Sequence, residues 1–587
     1  MRAAAIITSA WLTLSLFLFS VGYSPASADV AYYGILRGFE NLDVNSIAGF
    51  DIAADESGIY IVGEFFKAPG YGPMVLFLNP DHSFRCQKVM SFNVDISRGD
   101  PNQVRSAAYS VTLNDNYVFV AGIYGEWPSS LHLARLFVAV FDKNTCNLLS
   151  IMELIDGDAE WTNVYPLFLG AGVKILWDDD TNSLYLLLQT FSMPVFQGPF
   201  YLFQLDESLD VVNSRKYDDR ETELLLISDM IMANNYLQLV GIDQNKDGDF
   251  VLTLITVDKN NLGITSKWDF QVSFPGYDIT EVNILSFPKV YASYSQFFDS
   301  DILYIAFSIG CSGFDCSEYR DDAVWPVILW MIPPDDLRET PWTEAQLYRW
   351  NTTHWNYQSP YTHGNFTWAT DIVKAGSMLY VVGFIGVNPD SADDGFVAAV
   401  NVEEPEDPGS PERLKIQYFL RLASLEGEAD TGGPRGFSVV LGAGEYNGYA
   451  YLTGTASNYY LEYDPFNPLN ITGTTDQIRD YDPPESQPLD LTELRNLDRV
   501  YDGVPIFDRD VSTAPAGFYG VLRLRPSGMT VTSTTTSTTT STETVTSTTT
   551  ETSTVTSTST RTVTSTPTTT VTRFTTATQT SVATRVE

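Results

Sequence analysis

Positively charged side chains are scarce in this chain of 587 residues. It has 34 Lys and Arg residues against 73 Asp and Glu residues, which gives a formal net charge of −39. Such an acidic excess repels phosphate backbones, and the sequence holds no basic stripe to offset it. Nucleic acid is therefore excluded as a natural partner.

Residue types that commonly carry out catalysis are also scarce. The chain has four histidines, and it lacks an HExxH pattern, a G-x-S-x-G elbow and a phosphate-binding glycine loop. His354 and His363 share one predicted loop, which is more typical of surface histidines than of a site. The sequence therefore predicts no catalytic residue. Its many carboxylates still allow a glycosidase or lyase that uses a carboxylate pair.

Cysteine is nearly absent as well, with four residues in all. Cys311 and Cys316 bracket a loop that contains glycine, which predicts a local disulfide in an oxidising compartment. Cys86 and Cys146 are left to pair by elimination. The alternative is that their similar positions in neighbouring repeat units, described below, hold them too far apart for a disulfide, so this pairing stays open.

The N-terminus has the composition of a secretory signal. Arg2 precedes an apolar run at 3–21, and Ala26-Ser27-Ala28 follows as an A-x-A cleavage site. We predict a signal peptide at 1–28 and an exported chain that begins at Asp29. An uncleaved anchor is the alternative, because the apolar run is almost long enough to cross a bilayer.

The C-terminal segment at 527–587 consists largely of Thr, Ser and Val. It has no large apolar side chains whose burial would offset the entropy of ordering, so we predict a disordered, O-glycosylated stalk. A β-rich threonine repeat is the alternative. No apolar segment follows the stalk, so we expect no transmembrane anchor in the mature chain.

Between the two ends, one strand pattern recurs at wide spacing. Apolar residues alternate around an aromatic or polar centre, follow a tight polar turn and often end on glycine. The copies lie at 59–63, 118–122, 184–188, 237–241, 303–307, 379–383 and 450–454. The spacing leaves room for four short strands in each unit, so the sequence predicts an all-β, seven-bladed β-propeller at 29–526. A β-solenoid is the alternative.

The two ends of this repeat region complement each other. The last unit has no fourth strand before the stalk, and residues 32–39 form an unassigned strand at the start of the mature chain. We predict that this N-terminal strand completes the last blade and closes the ring, which removes exposed edges.

Two of the units carry related strand and turn signals. Asp394-Gly395-Phe396-Val397 is followed by Asn401, and Gly248-Asp249-Phe250-Val251 is followed by Asp258. On these elements the chain resembles the seven-bladed β-propeller repeat proteins of secreted bacterial and archaeal surface proteins. The threonine-rich segment resembles the stalks of archaeal surface proteins. The resemblance implies an extracellular location at the cell surface.

Long loops on one face of the predicted propeller are the candidate binding region. They include a very long loop at 455–517 and carry many aromatic side chains, which suit a glycan or a protein surface. The predicted ligand-binding residues are Trp127, Trp161, Trp325, Tyr459 and Tyr463. The alternative is that these rings pack the loops against the blades.

Two further kinds of site are predicted in loops. Asp243, Asn245, Asp247 and Asp249 place oxygen atoms at alternate positions around a glycine, which suits Ca²⁺, although Val251 and Leu254 break the EF-hand pattern. A solvated hairpin is the alternative for this segment. Sequons mark Asn351, Asn365 and Asn470 as glycosylation sites of an exported protein.

These features predict an extracellular or cell-surface binding or structural module of the cell envelope. Its expected partner is a glycan or an envelope protein, and Ca²⁺ is the one candidate cofactor. The first alternative is a carbohydrate-active enzyme with carboxylates in the propeller funnel. The second is a subunit of a surface lattice or filament that self-assembles.

Overall fold

A computed structural model describes most of the repeat region and parts of the C-terminal segment. The described residues are 28–39, 46–67, 70–92, 104–126, 134–156, 172–190, 198–218, 225–244, 250–273, 282–284, 287–296, 299–311, 323–332, 342–349, 366–388, 391–402, 414–424, 438–456, 459–464, 469–480, 485–488, 491–494, 497–502, 505–507, 516–524, 537–542, 552–559 and 575–584. Across these residues every regular element is a β-strand.

The chain begins with strand β1 (Ala28–Phe39) and continues into antiparallel groups of four strands. The first groups are β2 (Ser46–Asp55), β3 (Gly58–Lys67), β4 (Gly70–Leu78) and β5 (Phe84–Phe92); β6 (Val104–Leu113), β7 (Tyr117–Glu126), β8 (Ala134–Asp142) and β9 (Leu148–Asp156); and β10 (Val173–Asp178), β11 (Ser183–Gln189), β12 (Phe200–Asp206) and β13 (Val211–Asp218). The next group is β14 (Leu225–Ala233), β15 (Tyr236–Gln244), β16 (Phe250–Asp258) and β17 (Ile264–Ser273).

The same arrangement continues towards the C-terminus. After β18 (Val282–Ile284), which pairs with β20, come β19 (Lys289–Ser295), β20 (Ser300–Cys311), β21 (Ala323–Ile332) and β22 (Trp342–Arg349), then β23 (Phe366–Ala375), β24 (Met378–Asn388), β25 (Ser391–Val402) and β26 (Leu414–Ser424). β27 (Ser438–Tyr446) and β28 (Tyr449–Ala456) follow.

The remaining strands of the repeat region are short, apart from β30 and the last. They are β29 (Tyr459–Asp464), β30 (Leu469–Asp480), β31 (Glu485–Pro488), β32 (Leu491–Leu494), β33 (Leu497–Asp502), β34 (Pro505–Phe507) and β35 (Ala516–Leu524).

Local sequence explains why each group forms. The second and third strands are buried along nearly their whole length, as in β11, because both faces of each sheet are covered. Tight turns join the first two strands, and in one of them Asn234 and Asn235 have φ values of 49° and 64°. Turns with two such residues match the right-handed twist of a hairpin.

Consecutive groups pack face to face around shared apolar cores. Tyr60 and Phe77 of the first group meet Phe137 and Phe141 of the second, and comparable cores join the groups that follow. One core also contains Ile52 of β2 together with Tyr451 of β28, which brings the first and last groups together. The fold is therefore an all-β β-propeller.

The N-terminal strand completes the last group, as predicted. β1 pairs antiparallel with β35, which also pairs with β28. At the neighbouring contact, a Cβ atom on Gly442 of β27 would lie 2.5 Å from the carbonyl oxygen of Phe50 in β2. Because glycine alone fits so close an approach, this residue lets the first and last groups meet.

The prediction of a long loop at 455–517 is wrong for much of this segment, because it contains β29 to β34, which pair with the outer strands of the groups. They take up partners in reverse chain order: β29 pairs with β26, β30 with β22 and β17, β31 with β13, β32 with β9, β33 with β5, and β34 with β1. We call these strands, β29 to β34, the outer belt. It adds one edge strand to each five-stranded sheet of the repeat region, and it contributes β29 and β30 to a larger sheet.

The outer belt also joins groups into one sheet. Since β30 pairs with both β17 and β22, and β21 contacts β23 through one residue pair, strands from β14 to β26 form a 15-stranded sheet together with β29 and β30. The other sheets of the repeat region have five strands each.

The chain divides into one unit at Ala28–Leu524 and a second unit made of Met1–Ser27 and Arg525–Glu587. In the second unit, the described strands are β36 (Ser537–Thr542), β37 (Thr552–Ser559) and β38 (Thr575–Thr584), which pair in the order β36-β38-β37. The disorder predicted for the whole 527–587 segment stays a prediction, and the signal peptide lies outside the described residues. Within the described part of the chain, no helix has the length and hydropathy needed to span a bilayer.

Candidate functional site

The first strand of several groups carries a β-bulge at the same place. The residues directly after the bulge are Asp51, Ser110, Asp229, Asp371 and Gly442. A bulge bends its strand and re-aims the side chains that follow it. Here it directs oxygen-bearing side chains towards the first strand of the next group.

The three aspartates at these positions each accept a hydrogen bond from a backbone N–H of the neighbouring group. Asp51 Oδ2 accepts hydrogen bonds from Val111 N and from Ser110 Oγ, both at 3.0 Å. Asp229 Oδ2 accepts one from Val290 N at 3.0 Å. Equivalent bonds continue the series, with Asp371 Oδ2 accepting from Ala443 N at 2.7 Å and Ser110 Oγ accepting from Ile175 N at 3.2 Å.

The residues within two of the bulges add bonds in the opposite direction. Ser228 Oγ donates to the carbonyl oxygen of Pro288, and Thr370 Oγ1 donates to that of Val440, both at 2.5 Å. Each therefore ties its own first strand to the next one. Side-chain hydrogen bonds therefore connect the first strands of neighbouring groups. Among the described strands, these first strands do not pair with one another in a backbone ladder.

Two lysines complete a charged cluster on the first strands. We call Asp51, Lys174, Asp229, Lys289 and Asp371 the inner charge cluster. Lys174 Nζ lies 3.7 Å from Asp51 Oδ2, and its side chain is 23% exposed. Burial lowers the pKa of Lys174, but the nearby carboxylates of the cluster, Asp51 first, raise it by a larger amount. The net shift of the pKa is therefore upward.

Asp371 is a partly buried acid of the cluster. Burial raises its pKa to about 6, while Lys174 and Lys289 lower it and Asp51 and Asp229 raise it. A carboxyl group with such a pKa changes protonation near neutral pH, which is a property of general acids as well as of buried structural acids. Its Oδ2 is already engaged by the Ala443 N–H, and its Oδ1 accepts from Ile372 N at 2.8 Å.

The predicted calcium loop is described in part. Asp243 is the buried, second-last residue of β15, and its Oδ2 accepts a hydrogen bond from Lys267 Nζ at 2.5 Å. Asn245, Asp247 and Asp249 lie outside the described residues, so calcium binding stays a prediction. Among the residues that the structure describes, no group of three or more His, Cys, Asp or Glu side chains is arranged to hold a metal ion.

The structure places three of the five predicted ligand-binding aromatics in strands. Trp325 lies in β21 opposite Ile309. Tyr459 and Tyr463 lie in the outer belt opposite Ser424 and Leu420 of β26, in a strand and not in the predicted loop. Trp127 and Trp161 lie outside the described residues, as do His354 and His363. Ligand binding by these aromatics stays a prediction.

Cys86 and Cys146 form a disulfide, with their Cα atoms 6.6 Å apart. The pairing reached by elimination is therefore confirmed, and the two residues come together because their positions in the neighbouring groups are not equivalent. Cys86 lies within the fourth strand of its group, whereas Cys146 lies in the turn before the fourth strand of the next group, with φ at 59°. Cys311 ends β20, and its predicted partner Cys316 lies outside the described residues.

The structure describes one of the three predicted glycosylation sites. Asn470 lies in β30 opposite Tyr348 of β22, in a strand and not in the predicted loop. Asn351 and Asn365 lie outside the described residues, and glycosylation stays a prediction at each of these asparagines.

Sequence reasoning missed the inner charge cluster, although a signal for part of it was present. Asp51, Asp229 and Asp371 all precede an apolar residue and stand at the same interval before the repeated second-strand pattern. Alignment of the repeats on that pattern would have found them. Lys174 and Lys289 have no such common position, so only the packing of the groups brings them to the carboxylates.

The strand order and the packing of the groups define the protein as a β-propeller. No protein-family model and no curated protein matches the sequence. Among solved structures, extracellular domains 1-2 of Drosophila Semaphorin 1a are similar at 10% identity, covering 73% of this chain and 86% of that chain, with a TM-score of 0.40.

Two further solved structures are also similar at 10% identity. A phage phi92 endosialidase covers 78% of this chain and 70% of its own, with a TM-score of 0.36. A bifunctional GH43-CE protein of Bacteroides eggerthii covers 84% of this chain and 64% of its own, with a TM-score of 0.24.

Proposed function

We propose that this protein is an exported, cell-surface β-propeller with seven blades that acts as a binding or structural module of the cell envelope. The observation that carries this proposal is the use of the first-strand carboxylates. Asp51, Asp229 and Asp371 each accept a backbone N–H of the next group, so these acids hold the scaffold together. Because these acids serve the scaffold, the loops that connect the strands bind the glycan or protein partner.

The blade number is supported by the order of the four-stranded groups. The groups that start at β2, β6, β10, β14, β19 and β23 are followed by one made of β27, β28, β35 and β1. The outer belt meets an outer strand of each in turn. Seven blades account for all of these pairings.

Export is supported by two features. The disulfide between Cys86 and Cys146 belongs to an oxidising compartment, and the sequence at 1–28 has the organisation of a signal peptide. The threonine-rich segment at 527–587 suits a glycosylated stalk that holds the propeller away from the cell.

An array of defined neutral and acidic oligosaccharides tests the binding function. The purified chain from residue 29 is expected to bind a subset of the glycans saturably, and Trp325→Ala is expected to weaken that binding about tenfold or more. Tyr294→Ala is the matched control, because Tyr294 is an exposed aromatic, 56% accessible, close to a tight turn. Equal binding by the two variants, or no binding to any glycan, contradicts glycan recognition through the Trp325 side of the propeller.

One observation favours the enzymatic alternative. Asp371, with a pKa raised to about 6 beside two other carboxylates, has the protonation behaviour of a general acid. Turnover of glycans on the same array that is lost in Asp371→Asn would establish a carbohydrate-active enzyme. The proposed binding module leaves every glycan intact.

A further inference from the structure

Lys267 is a lysine without solvent contact in the interior of one four-stranded group. Its side chain is 0% exposed, and those of Asp243 and Asp269 are 1% and 9% exposed. Lys267 Nζ lies 2.5 Å from Asp243 Oδ2 and 3.9 Å from Asp269 Oδ2. Burying an ammonium group and two carboxylates is costly, so this triad needs an explanation.

The strand register places the triad on one face of the sheet. Lys267 in β17 is opposite Ile255 in β16, and Asp269 is opposite Thr253. Across the next ladder, Thr253 is opposite Gly241 in β15, two residues before Asp243. Lys267 and Asp243 therefore lie on the same face of the sheet, and the long lysine side chain reaches across β16 to Asp243.

The surroundings of this face are apolar. Leu239, Val251 and Ile255 lie on it and are buried to at least 99%. In such a medium three buried charges are costly, and an uncharged amide between Nζ and Cγ removes two of them. Amide formation uses the neutral amine and the neutral carboxylic acid, which one proton transfer across the 2.5 Å contact between Nζ and Oδ2 provides.

The remaining contacts supply the groups that such a reaction requires. Asp243 Oδ1 accepts the backbone N–H of Gln244 at 2.7 Å, which polarises the carbonyl and stabilises negative charge on that oxygen. Asp243 Oδ2, next to Lys267 Nζ, is the leaving oxygen. Asp269 Oδ2 lies 3.9 Å from Nζ. A shift of about 1 Å brings it within hydrogen-bond distance, where it acts as a general base and then as a general acid.

Other Lys–Asp pairs of the described residues lack part of this arrangement. Lys259 Nζ is 2.9 Å from Asp178 Oδ2, but no second carboxylate is recorded within ion-pair distance of it. Lys143 pairs with Asp55, whose side chain is 25% exposed. Lys174 is itself 23% exposed. The combination of complete burial with two carboxylates therefore singles out Lys267 among these pairs.

We propose that Lys267 and Asp243 form an intramolecular amide, an isopeptide bond that covalently joins β17 to β15. Nζ of the neutral Lys267 attacks Cγ of the protonated Asp243, and Asp269 removes a proton from Nζ. Asp269 returns that proton to the departing hydroxyl group, so that the Cγ–O bond breaks and one water molecule leaves. No oxidant, reductant or cofactor is consumed.

Peptide mapping of the full chain tests this bond directly. Trypsin does not cleave after an acylated lysine, so the expected product is a branched peptide in which residues 221–246 are joined to residues 260–289. Its mass is lower than the sum of the two peptides by the mass of one water molecule. Quantitative release of unmodified 221–246 together with an unbranched 260–267 peptide would overturn the proposal.

Two variants assign the roles. Asp269→Asn is expected to remove the branched peptide while Lys267 and Asp243 remain paired, and Lys259→Arg, which alters the other buried pair, is expected to retain it in full. Formation of the branched peptide in Asp269→Asn at the wild-type yield contradicts the role of Asp269 as base. The wild-type map decides whether the bond exists, even if a variant fails to fold.

Discussion

The inner and outer edges of the propeller groups are held by different means. At the inner edge, side chains such as Asp51 and Asp371 reach to the backbone of the next first strand. At the outer edge, the outer belt forms backbone ladders with β26, β22, β17, β13, β9, β5 and β1. One edge relies on carboxylates and the other on an added strand.

Geometry accounts for this difference. First strands of neighbouring groups approach each other without forming a common ladder, so their N–H groups need a side-chain acceptor. Outer strands diverge, and each presents an open edge that invites pairing with another chain. The belt satisfies those edges from within the same chain. Backbone groups therefore need hydrogen-bond partners at both edges of a propeller. In this chain, first-strand side chains supply them at the inner edge and the outer belt supplies them at the outer edge.

Removal of the outer belt is expected to have the largest effect. Replacement of residues 457–512 by a short Gly/Ser linker leaves the described backbone edges of β5, β9, β13, β17, β22 and β26 without partners. Open edges promote aggregation, so we expect most of the variant to elute from size-exclusion chromatography as large species.

Truncation of the threonine-rich segment is the control for that experiment. Deletion of residues 530–587 removes a similar length of chain from the other unit and is expected to leave a monodisperse protein. If the beltless variant also stays monodisperse with an unchanged melting temperature, the belt does not protect the outer edges.

Loss of one inner-edge carboxylate is expected to have a smaller, local effect. Asp51→Ala leaves Val111 N without its acceptor and removes the carboxylate nearest to Lys174. We expect the free energy of unfolding to fall by about 3 kcal/mol. Ser110→Ala, which removes a neutral hydroxyl group from the same contact, is expected to cost about 1 to 2 kcal/mol. Urea unfolding measures both, and equal losses would show that the charge on Asp51 does not matter.

The pH dependence of stability is expected to show a smaller effect than the loss of Asp51. The folded pKa of Asp371 is about 6 against an ordinary value of 3.8, so the folded state binds its proton more tightly. Because the folded state then carries more protons than the unfolded state between these values, stability falls as the pH rises through this range. The groups facing Asp371 are Lys174, Lys289, Asp51 and Asp229.

Asp371→Asn isolates this contribution. Between pH 4.5 and pH 7.5 we expect the wild type to lose about 2 kcal/mol of stability relative to the variant, as urea midpoints at the two pH values would show. A constant difference between the two proteins across that range would contradict a raised pKa for Asp371.

Much of the fold follows from local sequence. The repeated second-strand pattern at 59–63 and its copies lies in strands, and the turn predicted at Asn234 and Asn235 is a turn. The pairing of the N-terminal strand with the last group was predictable, because both ends of the repeat were visibly incomplete. Period-two alternation and turn residues are local signals, so they predict strands without knowledge of distant partners.

Sequence reasoning failed where partners are distant and strands carry little pattern. The 455–517 segment has short strands interrupted by polar residues, and its pairing partners are spread over the whole repeat region. The pairing of Cys86 with Cys146 could not be decided from the sequence for the same reason, since their separation depends on how two groups pack.

The sequence by itself determined that the chain is an acidic, all-β repeat protein with strands at defined places, because alternation and turn chemistry act over a few residues. Only the tertiary structure decided which charges meet. Asp51 and Lys174 come from different groups, and Lys267 reaches Asp243 across an intervening strand. Such contacts depend on strand order, register and twist, and these are set by the packing of the entire ring.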